Sequence, residues 1–206
     1  MMSLPIDEKW LYQPSHLAKR TDPFLIIMMG LSGSGKSTAS RMITQEFHGA
    51  WICADVVRKH LFGLSPEQSS RLSGLNIYSP DAHKKTFSKM AYLSQALLKS
   101  GYSVVIDSAA LRVRDRQQFI TIAKELKVAS VIIHCKAQES TINERLYNRI
   151  KKSGEPSEAT VDIMKQQLNW LEDPCAIEAP VLISLNTDHP FWQDALKKQL
   201  ERHGIC

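Results

Sequence analysis

Residues 24–37 read Phe-Leu-Ile-Ile-Met-Met-Gly-Leu-Ser-Gly-Ser-Gly-Lys-Ser, an apolar run that leads directly into a glycine-rich turn. The apolar run predicts a buried β-strand, and the helix-like spacing of residues 36–47 predicts a helix after the turn. Gly30, Gly33 and Gly35 allow backbone conformations that turn successive N–H groups toward one point. Together with the N-terminus of the helix, these groups form a site for anionic phosphate.

Lys36 and Ser37 end the loop and add the side chains that a triphosphate requires. The Lys36 ammonium can reach β- and γ-phosphate oxygens, and the Ser37 hydroxyl can ligate a Mg²⁺ ion that bridges them. An ordinary glycine-rich loop is the alternative, but it would not predict a strand before the turn and a helix after it. We therefore expect ATP and Mg²⁺ to bind here, with the nucleotide in contact with Gly30, Ser32, Gly33, Ser34, Gly35, Lys36, Ser37 and Thr38.

Length and composition are typical of a compact soluble enzyme. The chain has 206 residues, and 26 Lys and Arg against 21 Asp and Glu give a net charge of +5. This mild positive charge suits an anionic substrate and allows nucleic-acid binding without implying it. No apolar run has the length of a membrane span and no signal peptide is recognisable, so we expect a cytoplasmic protein without a membrane partner. The cysteines are far apart and are expected to be reduced structural thiols; they are Cys53, Cys135, Cys175 and Cys206.

Five short apolar runs alternate with longer amphipathic stretches, which predicts a three-layer α/β fold with a parallel sheet. The predicted strands are residues 24–29, 50–54, 103–107, 128–135 and 180–185. Helix-like spacing marks residues 36–47, 81–100, 114–126, 138–152, 158–171 and 191–202. We expect residues 23–206 to form the domain, and residues 1–22 to be either an arm packed on it or a loose tail.

Asp55 follows the second predicted strand, and ligands of a parallel sheet bind beyond the carboxyl ends of its strands. The sequence Ala-Asp-Val-Val-Arg-Lys places Arg58 one turn later on the same face if a helix begins there. A carboxylate next to a γ-phosphate can accept the proton of an attacking hydroxyl, and a guanidinium can hold an anionic substrate. An aspartate N-cap with a solvated arginine is the alternative interpretation.

Asp107 ends the third predicted strand, and Asn186, Thr187 and Asp188 follow the fifth. In P-loop enzymes, an acidic residue that closes a buried strand beside the phosphate loop holds magnesium, directly or through water, together with the loop serine. We therefore expect Asp107 and Ser37 to form the metal site. A turn or helix cap and a share in substrate binding are the alternatives for Asp107.

Arg145 and Arg149 lie four residues apart in Asn-Glu-Arg-Leu-Tyr-Asn-Arg, and therefore on one face of a predicted helix. Arginines on a mobile segment can stabilise a transferring phosphoryl group in the closed state only. Gly154 and Pro156 would suit a hinged lid between two helices. A solvated basic face is the alternative.

Six segments of the chain resemble those of a known family. They are Gly-Leu-Ser-Gly-Ser-Gly-Lys-Ser-Thr from residue 30, Ala-Asp-Val-Val-Arg-Lys from 54, Ile-Tyr-Ser-Pro from 77, Gly-Tyr-Ser-Val-Val-Ile-Asp-Ser from 101, Glu-Arg-Leu-x-x-Arg from 144 and Pro-Ser-Glu-Ala from 156. They look like the predicted P-loop kinases of the AAA-type kinase family. That family is similar to chloramphenicol phosphotransferase, zeta toxin, gluconate kinase and the kinase part of polynucleotide kinase.

The resemblance implies a five-stranded sheet like that of nucleoside-monophosphate kinases, in the order 2-3-1-4-5, with a small helical lid at about residues 145–160. It implies that Lys36 and Ser37 bind ATP and magnesium and that Asp55 is the base on the acceptor hydroxyl. It also implies that Arg145 and Arg149 belong to the lid. An adenine contact is implied near Thr187 and Asp188.

The acceptor is expected at residues 60–80, where relatives hold theirs, with Asp55, Arg58 and Tyr78 as contacts and Arg71 in the same stretch. The resulting hypothesis is a kinase that transfers the γ-phosphoryl group of ATP to a hydroxyl of a small molecule. Members of the family often follow an aminoglycoside-phosphotransferase-like domain. A separate partner of that kind is therefore an alternative to a stand-alone kinase.

Three other functions stay open on the sequence. A polynucleotide 5′-hydroxyl kinase would use the same residues and would need a basic groove with stacking aromatic side chains. A zeta-toxin-like kinase would act on a nucleotide sugar. From another class, an ATP-binding regulatory switch would hydrolyse ATP slowly and bind a partner.

Overall fold

The computed structural model describes residues 4–13, 17–70, 74–151, 156–174 and 181–205. These residues form one parallel sheet of five strands: β1 Phe24–Met29, β2 Ala50–Cys53, β3 Val104–Asp107, β4 Ala129–Lys136 and β5 Val181–Asn186. The strands lie in the order β2-β3-β1-β4-β5. The predicted α/β class and the implied order 2-3-1-4-5 are both confirmed.

Seven α-helices are described between and after these strands. Their bounds are α1 Lys36–Phe47, α2 Ala54–Leu61, α3 Pro80–Lys99, α4 Val113–Leu126, α5 Glu139–Ile150, α6 Val161–Leu168 and α7 Trp192–Arg202. A short 3₁₀ helix, Glu8–Trp10, precedes the first strand. Strand–helix alternation with every strand parallel is the arrangement that right-handed crossover connections produce.

The central strand β1 is buried on both faces, as its continuous apolar sequence predicts. Leu25, Ile27 and Met29 belong to one core, which α3 and α4 complete with residues such as Leu93 and Phe119. The alternate residues of β1, Phe24, Ile26 and Met28, belong to a second core. Helices α1 and α7 complete this core with residues such as Ile43 and Leu196. The sheet therefore has helices on both faces. The candidate site lies at the edge formed by the carboxyl ends of the strands.

Two helices differ from the sequence prediction by more than one residue at an end. The helix expected over residues 158–171 is confined to α6, because Glu158 is engaged with Ser70 and Lys59 and because Thr160 caps the helix by accepting from the N–H of Ile163. The helix expected over residues 138–152 is α5, which ends at Ile150.

Part of the segment before β1 packs on the domain. The Tyr12 N–H donates to the Trp51 carbonyl oxygen at 2.9 Å, and the two rings meet edge to face with centroids 4.6 Å apart. Leu11 is 4% exposed and belongs to the core under α3. Of the two alternatives for residues 1–22, the described residues therefore favour the packed arm.

Candidate active site at the carboxyl ends of the strands

The glycine-rich turn leaves β1 at Gly30 and enters α1 at Lys36. Gly30 has φ 140°, and a Cβ atom there would lie 2.4 Å from the carbonyl oxygen of Cys135 on the neighbouring strand. Gly35 has φ 90°, and a Cβ atom there would lie 2.9 Å from Thr187 Cγ2. Both positions require glycine for two reasons: the backbone has a positive φ that residues with a side chain rarely adopt, and a Cβ atom would collide with its neighbour.

The loop is fixed from its outer side by Thr187 and Arg145. Thr187 Oγ1 donates to the Ser34 carbonyl oxygen at 3.0 Å. The Arg145 guanidinium donates to Gly33 O at 3.2 Å, to Thr187 Oγ1 at 2.8 Å and to Thr187 O at 3.0 Å, and lies 3.9 Å from an Asp188 carboxylate oxygen. Arg145 thus joins the phosphate loop to the segment after β5, where the resemblance implies an adenine contact.

Lys36 and Asp107 interact electrostatically at the phosphate loop. Burial lowers the pKa of the Lys36 ammonium, the charge of Asp107 opposes that shift, and the charge of Arg149 adds to it. Burial raises the pKa of the Asp107 carboxyl, and the charge of Lys36 with hydrogen bonds from Ser37 and Trp51 opposes the rise. Arg149 is therefore within electrostatic reach of Lys36. This agrees with the prediction that Arg149 and Arg145 lie on the same face of their helix.

The Asp107 and Ser37 side chains suit a magnesium ion. Asp107 is 4% exposed, its Oδ2 accepts from Trp51 Nε1 at 3.1 Å, and the Ser37 side chain lowers the pKa of its carboxyl. Carboxylate and hydroxyl oxygens are ligands that Mg²⁺ prefers, and this ion commonly takes one or two protein ligands with the remainder from water and phosphate. Among the described side chains, no group of three or more His, Cys, Asp and Glu gathers around a common point.

Asp55 and Arg58 lie on α2, directly after β2. Cys53 pairs in register with Asp107, so β2 and β3 end side by side and α2 begins next to the Asp107 carboxylate. Arg58 Nη1 is 2.5 Å from Asp55 Oδ1, and the Arg58 guanidinium lies 4.9 Å from the centroid of the Tyr78 ring. The structure therefore brings the three predicted acceptor contacts together at one place.

Residues 62–70, which follow α2, are held by Lys59 and Glu158. Lys59 is 1% exposed; its Nζ donates to Pro66 O at 2.8 Å and lies 3.2 Å from Glu158 Oε1. Glu158 accepts from the Ser70 N–H at 2.7 Å and from the Ser70 hydroxyl at 2.9 Å. Sequence reasoning missed both charged residues, since a lysine in a basic helical turn and an isolated glutamate carry no local sign of burial.

Gln167 on α6 is another residue that sequence reasoning missed. Its Oε1 accepts from the Ser32 N–H of the phosphate loop at 2.8 Å. The only available signal was its place on the apolar face of α6, three residues after the buried Met164. Four residues from the sequence prediction lie outside the described residues: Gly154 of the expected hinge, Arg71 of the acceptor stretch, and Cys175 and Cys206 of the expected structural thiols.

Cys53 and Cys135 are free and buried, and burial raises the pKa of both thiols, to about 12 for Cys135. Neither is therefore a thiolate at neutral pH. Within the parts of the chain that the structure describes, no helix combines the length and apolar character needed to cross a membrane.

Comparison with known proteins places this architecture in a family. The sequence model of the AAA domain matches residues 25–174. A search of curated protein sequences gave no match.

Several solved structures share the fold. A candidate kinase from Chloroflexus aurantiacus has a TM-score of 0.65 and 20% identity over 88% of this chain and 95% of its own. A gluconokinase from Sinorhizobium meliloti has a TM-score of 0.56 and 21% identity over 88% of this chain and 98% of its own. The Mycobacterium tuberculosis APS kinase in complex with AMPPNP and APS has a TM-score of 0.60 and 13% identity over 91% of this chain and 100% of its own.

Proposed function

The chain belongs to the AAA domain family, and we propose that it is a kinase that transfers the γ-phosphoryl group of ATP to a hydroxyl group of a small molecule. One observation carries the proposal: the Asp55–Arg58 pair lies at the same sheet edge as the phosphate loop with Lys36 and Asp107. A carboxylate in that place is suited to an acceptor hydroxyl, and hydrolysis alone would not need the Arg58 and Tyr78 contacts beside it. The fold it shares with a gluconokinase and an APS kinase supports the same proposal.

On the donor side, the loop amides and the α1 N-terminus bind the phosphates, and Lys36 contacts the β- and γ-phosphate oxygens. Ser37 and Asp107 would hold a magnesium ion, which supplies positive charge against the phosphate oxygens. Thr187 and Asp188 stand where the adenine contact is proposed. Arg145 keeps this segment attached to the loop through its bonds to Gly33 and Thr187.

On the acceptor side, Asp55 accepts the hydroxyl proton as the acceptor oxygen bonds to the γ-phosphorus and the bond from that phosphorus to the ADP oxygen breaks. Arg58 orients Asp55 through their ion pair and, with Tyr78, lines the place for the acceptor. Arg149, whose charge already acts on Lys36, would contribute positive charge beside the transferring group. No water needs to enter this step.

The test is transfer from γ-labelled ATP into a pool of metabolites, with phosphorylated products identified by mass spectrometry. Asp55→Asn should still bind Mg·ATP in calorimetry while transfer falls by about 10²- to 10⁴-fold, the usual contribution of a positioned acid or base. Lys36→Ala should lose both binding and transfer. Asp194→Asn, an exposed carboxylate on α7, is the matched control and should behave as the wild type.

Undiminished transfer by Asp55→Asn would contradict the assignment of the base. Release of free phosphate without any labelled acceptor would favour the regulatory switch. Labelling of an oligonucleotide 5′ end, or of a nucleotide sugar, would favour the corresponding kinase over one for another small molecule.

A further inference from the structure

The peptide group between Leu31 and Ser32 is held on both of its sides. Its carbonyl oxygen, on Leu31, accepts from Lys36 Nζ at 2.7 Å and from the Ser34 N–H at 3.1 Å. Its N–H, on Ser32, donates to Gln167 Oε1 at 2.8 Å. Because the C=O and N–H of a trans peptide point in opposite directions within one rigid plane, Lys36 and Gln167 lie at opposite edges of the peptide group. Turning this peptide would break all three bonds together.

Gln167 reaches the loop because α6 is packed against it. Met164, one turn earlier on the same face of α6, is buried with Ile142 and Leu146 of α5, and Leu31 of the phosphate loop packs against this cluster. Helix α6 therefore contacts the phosphate loop in two ways: its apolar side chains pack near Leu31, and Gln167 accepts a hydrogen bond from Ser32. Gln167 is 8% exposed, so water is a poor substitute for its carbonyl oxygen.

The neighbouring Gln166 has the same chemistry and lacks these contacts. Gln166 is exposed, whereas Gln167 is buried. The position on the helix, and not the amide as such, therefore makes the bond to Ser32. This difference provides an internal control within two adjacent residues.

We propose that Gln167 is a positioning residue for nucleotide binding: by accepting from the Ser32 N–H it keeps the Leu31 carbonyl directed at Lys36 and so holds the lysine ammonium in place for phosphate. The inference rests on the proposed function only in that the loop binds a nucleotide, and it is independent of the acceptor. Gln167 acts through the Leu31–Ser32 peptide and is not itself assigned a contact with substrate. Through it, α6 and the phosphate loop form one unit.

The experiment compares three variants of the full chain. Gln167→Met keeps the side-chain length and removes the carbonyl acceptor, Gln167→Glu keeps an oxygen acceptor, and Gln166→Met is the matched control. Amide hydrogen exchange of Ser32, followed by NMR without nucleotide, should accelerate in Gln167→Met only. The dissociation constant of Mg·ATP, measured by calorimetry, should rise about tenfold in Gln167→Met, which is the scale of one hydrogen bond, and should not change in Gln166→Met.

A role in folding alone would have a different signature. It would lower the melting temperature or the fraction of protein that binds, while the dissociation constant of the remaining folded protein stayed at the wild-type value. That result, or faster Ser32 exchange with unchanged Mg·ATP affinity, or unchanged Ser32 exchange in Gln167→Met, would overturn the inference. Failure of the wild type to bind Mg·ATP would instead overturn the proposed function, and the inference with it.

Discussion

Lys36 and Asp107 illustrate how the chemistry of this site depends on neighbouring groups of opposite charge; Asp107 is buried and Lys36 is half-buried. Burial disfavours the charged form of each, and each lessens that effect on the other by its opposite charge. The Trp51 indole donates a hydrogen bond to Asp107, and the Ser37 side chain also favours the Asp107 carboxylate. Each of the two groups therefore favours the charged form of the other, at the place where a metal-bound triphosphate would require a cation and an anion.

Asp107→Asn should weaken the effect of magnesium on nucleotide binding. The amide has nearly the shape of the carboxylate and can still accept from Trp51, but it lacks the charge that attracts the ion. Even a group that contacts a metal through another ligand is worth about 10- to 100-fold in metal affinity. Calorimetry of ATP with and without Mg²⁺ should show that the gain from magnesium falls by at least about tenfold in the variant.

The Asp194→Asn variant is again the control, because it removes an exposed carboxylate from α7. An unchanged magnesium effect in Asp107→Asn would mean that Asp107 has one of the alternative roles, a cap or a contact with substrate.

At the scale of elements, one ion pair joins α2 to the segment before α6, and two hydrogen bonds join that segment to the residues after α2. Lys59 on α2 is buried against Glu158, and Glu158 holds Ser70 through two hydrogen bonds. Burial alone would raise the pKa of Glu158, but the bonds from Ser70 and Lys59 lower it below its ordinary value. The three segments are therefore held together on the side of the site where Asp55 and Tyr78 lie.

Lys59→Met should lower the free energy of unfolding by about 3 kcal/mol at pH 7, because it leaves a largely buried carboxylate without its cation. The lowered pKa of Glu158 means that the unfolded state takes up the proton first. The stability that the pair contributes is thus present above the unfolded pKa of about 4.3 and is lost as the pH falls through the folded value. Urea unfolding should show a difference between variant and wild type that shrinks from pH 7 to pH 3.

Lys165→Met, which removes an exposed cation from α6, is the control and should change stability by less than about 0.5 kcal/mol. A loss in Lys59→Met that is the same at both pH values would show that packing of the long lysine side chain, and not its charge, matters.

At the scale of the whole molecule, the sheet order decides which residues meet. β3 lies between β1 and β2, so the phosphate loop, Asp107 and the start of α2 follow one another along a single edge. The two cores on either face of β1 keep these strand ends in register. The arm before β1 is part of the same structure, since Leu11 fills a place in the core under α3.

Leu11→Ala should therefore lower the free energy of unfolding by about 2 to 4 kcal/mol, the usual effect of truncating a buried leucine. Leu75, which is 42% exposed, is the control, and Leu75→Ala should cost less than about 0.5 kcal/mol. Denaturant unfolding of both variants provides the comparison. A loose tail predicts no effect for Leu11→Ala.

Much of this architecture is readable from local patterns. The apolar run of residues 24–29 and the glycines that follow were enough to predict β1, the loop and α1. The helix predicted over residues 81–100 agrees with α3 to within one residue at each end. The start of α6 was mispredicted because Glu158 is held by a residue from a distant part of the chain. The helical spacing of apolar residues depends only on residues near one another in the sequence, so it gives no sign of a hydrogen bond to a distant residue such as Ser70.

The fold class, the phosphate loop and the candidates at the strand ends could be predicted from the amino-acid sequence, because they depend on residues adjacent along the chain. Three contacts became known from the folded chain alone: Arg145 bonds to the loop and Thr187, Lys59 is buried against Glu158, and Gln167 bonds to Ser32, 135 residues away. They could not be predicted because a polar side chain looks the same in sequence whether water or a distant backbone group satisfies it. Its partner exists only once the helices have packed on the sheet.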